Sequence, residues 1–139
     1  MRAPAQGMAR WRRSLAVLLL GVPLVAAGIT LSQFGVRWIE CVAAWTFSGA
    51  CIWFAVEQLW LALAVRHALC RGLLLLSSLS LIAAMSLALL YATGNYLQMD
   101  LLDIPFMIHW HGPIQVFGFA LPGVVAWSLV KQNGIITTL

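Results

Sequence analysis

The chain has 139 residues, of which 63% are hydrophobic and 9% charged, and its net charge is +4. A soluble domain carries about 25% charged residues, so this composition and the mean hydropathy of +0.95 exclude an ordinary water-soluble globule. No basic patch alternates with exposed aromatics, so the positive charge reads as membrane topology and no nucleic-acid partner is expected.

Residues 1–13 hold Arg2, Arg10, Arg12 and Arg13 and read as a basic cytoplasmic tail. The first predicted span covers residues 14–32 and contains Pro23 and Gly28. A signal peptide is the rival reading, with Ala26, Ala27 and Gly28 as a cleavage site, and Arg12-Arg13 before Ser14-Leu15 resembles a twin-arginine signal. The apolar run exceeds the roughly 7–15 residues of a signal core, which favours an uncleaved helix. After the polar connection from Gln33 to Arg37, the second span covers residues 38–65, longer than the roughly 20 residues that cross a bilayer. Its tryptophans, Trp38, Trp45, Trp53 and Trp60, recur at spacings of 7, 8 and 7 and share one broad helical face. That stripe suits lipid or helix packing, with its ends in the interfaces.

Arg66 to Arg71 is read as a basic loop, and residues 72–93 as the third span. Ser77, Ser80, Ala84 and Ser86 supply small surfaces for close helix contact. An acidic loop with Asp100 and Asp103 leads to the fourth span, residues 104–130, and residues 132–139 form a short tail. Four arginines precede the first span, Arg66 and Arg71 lie in the second connection and Lys131 follows the last span, against Arg37 alone on the other side. By the positive-inside rule both termini are cytoplasmic, which predicts a single-domain, all-α, four-helix bundle in a bacterial cytoplasmic membrane.

The cysteines, Cys41, Cys51 and Cys70, form no CxxC pair, and the first two sit about 15 Å apart along one helix, too far for a disulfide. They read as inert buried thiols. No phosphate loop, nucleophile elbow or carboxylate-rich metal motif occurs, and the histidines lie at unmatched depths for a haem, so no cofactor or metal is expected.

Residues 100–127 concentrate what is unusual: two aspartates, two histidines, Gln115 and three prolines in and beside an apolar run. Pro105 begins the fourth helix, where a missing amide is harmless. Pro113 removes a bond to the carbonyl of His109 and Pro122 one to that of Gly118, so kinks are expected, either as a transporter-like broken helix or as ordinary packing. Gly112, Gly118 and Gly123 admit close approach by another helix. His109 and His111 point to nearly opposite sides of a helix, so they do not chelate one metal. His111 shares a face with Gln115 and is assigned to the interior; His109 is assigned to the interface. Gln33, Arg37, Glu40, Tyr91, Asn95, Asp100, Asp103, His109, His111 and Gln115 all fall in the outer third and are expected to form one polar pocket. Glu57 lies toward the other end, separated from His111 by roughly 10 Å of a 30 Å core. It is expected to pair with Arg66 or to stay protonated.

The string YATGNY, followed by IPFMIHWHGPIQVFGFALPG, resembles the C-terminal membrane part of YndJ-like proteins. The matching positions are Tyr91, Gly94, Met107, His111, Gly112, Gly118 and Phe119, with Gln115 where that family usually shows asparagine. The resemblance implies a transporter-like membrane pocket.

Three functions fit these residues. The chain could be a membrane enzyme acting on a lipophilic molecule, with His111 as acid or base, oriented by Gln115 and by Asp103 or Glu40. It could be a small, homodimeric proton-coupled transporter using Glu57 or His111, or an accessory subunit of a larger membrane complex.

Overall fold

The computed structural model describes Ala16, residues 20–28, Thr30, and residues 37–99 and 102–132, with backbone alone for Arg37 and residues 130–132. Expectations about Arg2, Arg10, Arg12, Arg13, Gln33, Asp100 and the side chains of Arg37 and Lys131 lie outside the described residues, as do the N-terminal tail and residues 133–139.

The described residues contain helices and no strand. An apolar chain without water must bond its own amides, and a helix does this within one segment. We label the helical part of the first predicted span α1 (residues 20–28), followed by α2 (Arg37–Ala64) and α3 (Ala68–Leu97). The fourth helix, α4, runs from Ile104 to Gln132 through two widened stretches. Three of these helices are long and apolar enough to cross a membrane: Trp38–Ala64, Ala68–Leu97 and Ile104–Leu129. At 1.5 Å per residue α2 and α3 are each over about 40 Å long, more than the roughly 30 Å hydrocarbon core.

α3 is longer at both ends than hydropathy alone indicates. The connection from α2 is only Val65–His67, because His67 caps α3: its Nδ1 accepts from the Cys70 amide at 3.5 Å, and Arg71 N already bonds the His67 carbonyl at 2.9 Å. Residues 68–71 of the expected loop are therefore the first turn of the helix. At its other end α3 runs through Gly94 to Leu97 and closes at Gln98, whose φ of 57° bends the chain while the amides of Gln98 and Met99 return to the carbonyls of Asn95 and Gly94.

α3 packs on both α2 and α4, whose backbones stay more than 8 Å apart, Cα to Cα, among the described residues. α1 lies against α2, where Gly21 meets the Phe47 ring and Gly28 meets Ala43. Two small buried clusters hold the helices together. Ala62, Val65, Cys70, Leu74 and Ala126 pack at the end near the α2–α3 connection, and Cys51, Ala55, Leu81, Ala84 and Met85 pack midway. Cys51 and Cys70 are thus core residues, while Cys41 is half-buried.

Hydroxyl groups within the spans bond the carbonyl one turn back. Thr46 donates to Val42, Ser78 to Leu74, Ser86 to Ile82 and Ser128 to Val124, all at 2.8–2.9 Å. This removes an unpaired donor without a partner helix. The tryptophan stripe faces outward along its whole length, with Trp60 the most exposed at 70%. Trp45 Nε1 donates to Thr93 Oγ1 at 3.1 Å, and Trp53 Nε1 donates to Glu57 Oε1 at 3.0 Å.

Candidate functional site

The polar residues around the α3–α4 connection form a cleft of ≈ 600 Å³. Tyr91, Gly94, Asn95 and Gln98 contribute one wall from the last turns of α3, and Leu102, Asp103 and Pro105 contribute to the other. Asp103 is the N-cap of α4, and its Oδ1 accepts from the Phe106 amide at 2.8 Å. That bond fixes where α4 starts and orients one carboxylate oxygen away from any ligand. Pro105 stands in the first turn, as its missing amide requires.

Beyond that turn α4 departs from α geometry. Met107–His111 and Ile114–Ala120 are π-helical, on either side of Gly112-Pro113. Proline at 113 cannot bond the carbonyl four residues back, and a widened ladder is one way for a helix in hydrocarbon to keep its remaining amides paired. The wide turns end where the Leu121 amide bonds the Val116 carbonyl, five residues back, and regular helix resumes with Pro122 in its first turn. The backbone response to the prolines is this pair of widened stretches.

The widening sets which side chains meet α3. His111 is half-buried, and its Nδ1 donates to the Ala84 carbonyl at 2.9 Å. A carbonyl only accepts, so the bond requires the proton on Nδ1 and leaves Nε2 as the nitrogen that can take or give one. His109 is exposed, edge-on to Trp110 with ring centroids 5.3 Å apart. Gln115, one turn from His111, is half-buried.

Further along the same seam α4 comes very close to α3. A Cβ on Gly118 would overlap Ser80, and one on Gly123 would lie 2.9 Å from Ser77 Oγ. A Cβ on Gly112 would meet open space, so that glycine serves no helix contact among the described residues. Of the small residues expected to line α3, Ser77, Ser80 and Ala84 face α4, whereas Ser86 is exposed.

Tyr91, Asn95 and Asp103 thus come together at one end, and His111 lies deeper on the same seam. Its partner Ala84 is seven residues below Tyr91 on α3, about 10 Å at 1.5 Å per residue. The carbonyl of Ala84, a backbone group, orients His111; Asp103 bonds the start of its own helix instead. Glu40 is half-buried in the first turn of α2, with its Cα beside Gly28 on the α1 side, and does not line the cleft. Glu57 accepts from Trp53 on its own helix, and Arg66 is exposed in the α2–α3 connection.

Sequence reasoning missed a second polar group, Gln58, which is fully buried and donates from Nε2 to Ser77 Oγ at 3.1 Å. Ser77 in turn donates to the Phe119 carbonyl at 2.9 Å. An amide side chain inside an apolar span was the available signal. Among the described residues no three His, Cys, Asp or Glu side chains converge on a metal-sized site.

These features define a helical integral membrane protein whose polar groups gather along one helix–helix seam and open into a cleft at one end. The chain belongs to the YndJ-like protein family, whose sequence model matches residues 2–119. The match extends the resemblance seen from Tyr91 onward over most of the chain. No curated protein and no solved structure matches it. The positions that carried the resemblance lie mostly on the seam: Tyr91 and Gly94 line the cleft, His111 bonds Ala84, Gly118 meets Ser80, and Phe119 receives Ser77.

Proposed function

We propose that the chain binds a lipophilic small molecule in the cleft at the α3–α4 connection, which faces the outside of a bacterial cytoplasmic membrane, and acts on it by acid–base chemistry at His111. Both termini are cytoplasmic in this reading, because the basic residues cluster on that side. The observation that carries it is the 2.9 Å bond from His111 Nδ1 to a main-chain carbonyl. It holds the ring in one tautomer and leaves Nε2 to exchange a proton with a ligand, an arrangement suited to an isomerase- or cyclase-like step. A molecule entering at Asn95 and Asp103 and lying along the seam reaches His111 after about 10 Å, with apolar surface on either side.

Histidine-selective ¹⁵N labelling in lipid nanodiscs tests the premise: His111 should carry a proton on Nδ1, and a ring protonated at Nε2 alone would remove the reason for choosing it. Mass spectrometry of protein gently extracted from its native membrane tests the function. A monomer or dimer carrying a lipophilic compound, chemically altered on incubation with wild type and not with His111→Ala, supports the reading. Larger subunits with no compound would make the chain an accessory component. A compound retained unchanged, with pH-dependent uptake lost in Glu57→Gln or His111→Ala, would make it a proton-coupled transporter.

A further inference from the structure

The cleft at the α3–α4 connection carries polar side chains that the fold itself leaves unused. Tyr91, Asn95 and Gln98 follow one another at spacings of 4 and 3, which sets them along one face at the end of α3. None of their side chains bonds another described residue. Asp103 joins them from the start of α4; its Oδ1 is taken by the Phe106 amide, and Oδ2 has no partner among the described residues. Asn95, Gln98 and Asp103 are exposed and Tyr91 is half-buried, so all four are open to a molecule in the cleft.

Gln98 is the unusual member. It ends α3 with φ 57° and ψ 35°, the left-handed conformation that glycine adopts at no steric cost and that closes many helices. Among the described residues it is the one non-glycine with positive φ. A glutamine there carries backbone strain that glycine would avoid, and what it adds is a carboxamide lining the cleft.

Met99, Leu102 and Ile104 give the cleft apolar surface beside these groups, which suits an amphiphile with its head at the polar wall. Charge restricts that head. No basic side chain lines the cleft, and the Asp103 carboxylate repels a phosphate or carboxylate. A quaternary ammonium is held by several aromatic faces, whereas Tyr91 stands alone here and the one carboxylate already accepts a main-chain N–H. Carboxamides and a phenol each donate and accept, as hydroxyl groups do.

We propose that this cleft binds an amphiphile with an uncharged, polyhydroxylated head, whose hydroxyls pair with Tyr91, Asn95, Gln98 and Asp103 Oδ2. The inference rests on the cleft being the entry to the His111 seam, and it names the class of compound that enters.

The full chain in lipid nanodiscs is photolabelled with three amphiphiles that share one diazirine-bearing alkyl chain and carry a glucoside, a phosphate or a trimethylammonium head. Labelled peptides are mapped by mass spectrometry. Label on residues 91–105 is divided by label on the exposed tryptophan face of α2, which corrects for partition into the bilayer. The glucoside ratio should exceed each of the others about tenfold, the effect of one to two net hydrogen bonds. Gln98→Gly keeps the left-handed turn and should unfold no sooner than wild type in SDS, yet lower the glucoside ratio about threefold to tenfold. Asn95→Leu should lower it similarly. A phosphate or ammonium ratio equal to that of the glucoside would overturn the proposal while leaving the cleft as a site for lipophiles. Glucoside label indifferent to both substitutions would also overturn it. If no head raises residues 91–105 above the α2 reference, the proposal fails together with the reading it rests on. Selective glucoside label with no His111-dependent change in the extracted compound would support the headgroup assignment and remove only the acid–base step.

Discussion

The close passage of α4 over α3 at Gly118 makes a quantitative demand on stability. In Gly118→Ala the new Cβ overlaps Ser80, whose own Cβ would be only 2.6 Å away. Overpacking of this kind typically costs about 1–3 kcal/mol. Replacing a helical glycine by alanine returns roughly 0.5–1 kcal/mol through backbone entropy. The net expectation is a destabilisation of up to about 2.5 kcal/mol, centred near 1 kcal/mol. Gly112→Ala is the internal control, because nothing lies within 4 Å of its Cβ position and only the favourable contribution remains. Unfolding by graded SDS in mixed micelles, followed by tryptophan fluorescence, should move the two variants in opposite directions. The double variant Gly118→Ala with Ser80→Gly removes the obstructing atoms and should recover about 1 kcal/mol relative to additivity. If both alanines shift the transition the same way and the double variant shows no coupling, the seam described here is not the packing of the folded protein.

Two further outcomes follow from the geometry. Asp103→Ala should destabilise the start of α4 by about 1 kcal/mol and speed hydrogen exchange at Phe106, whereas Asp103→Asn should keep most of the cap; equal exchange in all three forms would separate Asp103 from that role. Orientation is testable in cells expressing a form without Cys41, Cys51 and Cys70. A single cysteine at exposed Gln98 should react with an impermeant maleimide applied outside, and one at exposed His67 only after permeabilisation. The reverse pattern would invert the topology and turn the cleft to the cytoplasm.

The sequence by itself determined the class of protein and the approximate course of α2, α3 and α4, because both depend on local quantities. Apolar runs longer than a bilayer leave a chain no alternative to helices that bond their own amides, and that constraint is legible residue by residue. Periodicity likewise put the four tryptophans on one face and the two histidines on opposite ones. The resemblance to the family rests on the same local information, in the spacing of Tyr91, Gly94, His111, Gly118 and Phe119.

Tertiary structure alone decided which polar groups meet. Depth places Asp103, Glu40 and His111 in one outer layer, but depth carries no information about azimuth or about which helices are neighbours. The Glu40 backbone therefore sits beside Gly28 of α1, and Asp103 closes the first turn of α4. His111 takes its orientation from the carbonyl of Ala84, an atom that every residue possesses and no sequence pattern can mark. Gln58 was hidden for a related reason. Its partners are a serine 19 positions away and, through that serine, a main-chain oxygen on α4, and only the packing of three helices brings them to a fully buried glutamine. The widened turns around Pro113 complete the contrast. The missing amide is written in the sequence, but whether the helix bends or widens depends on what the neighbouring helix offers to its freed groups.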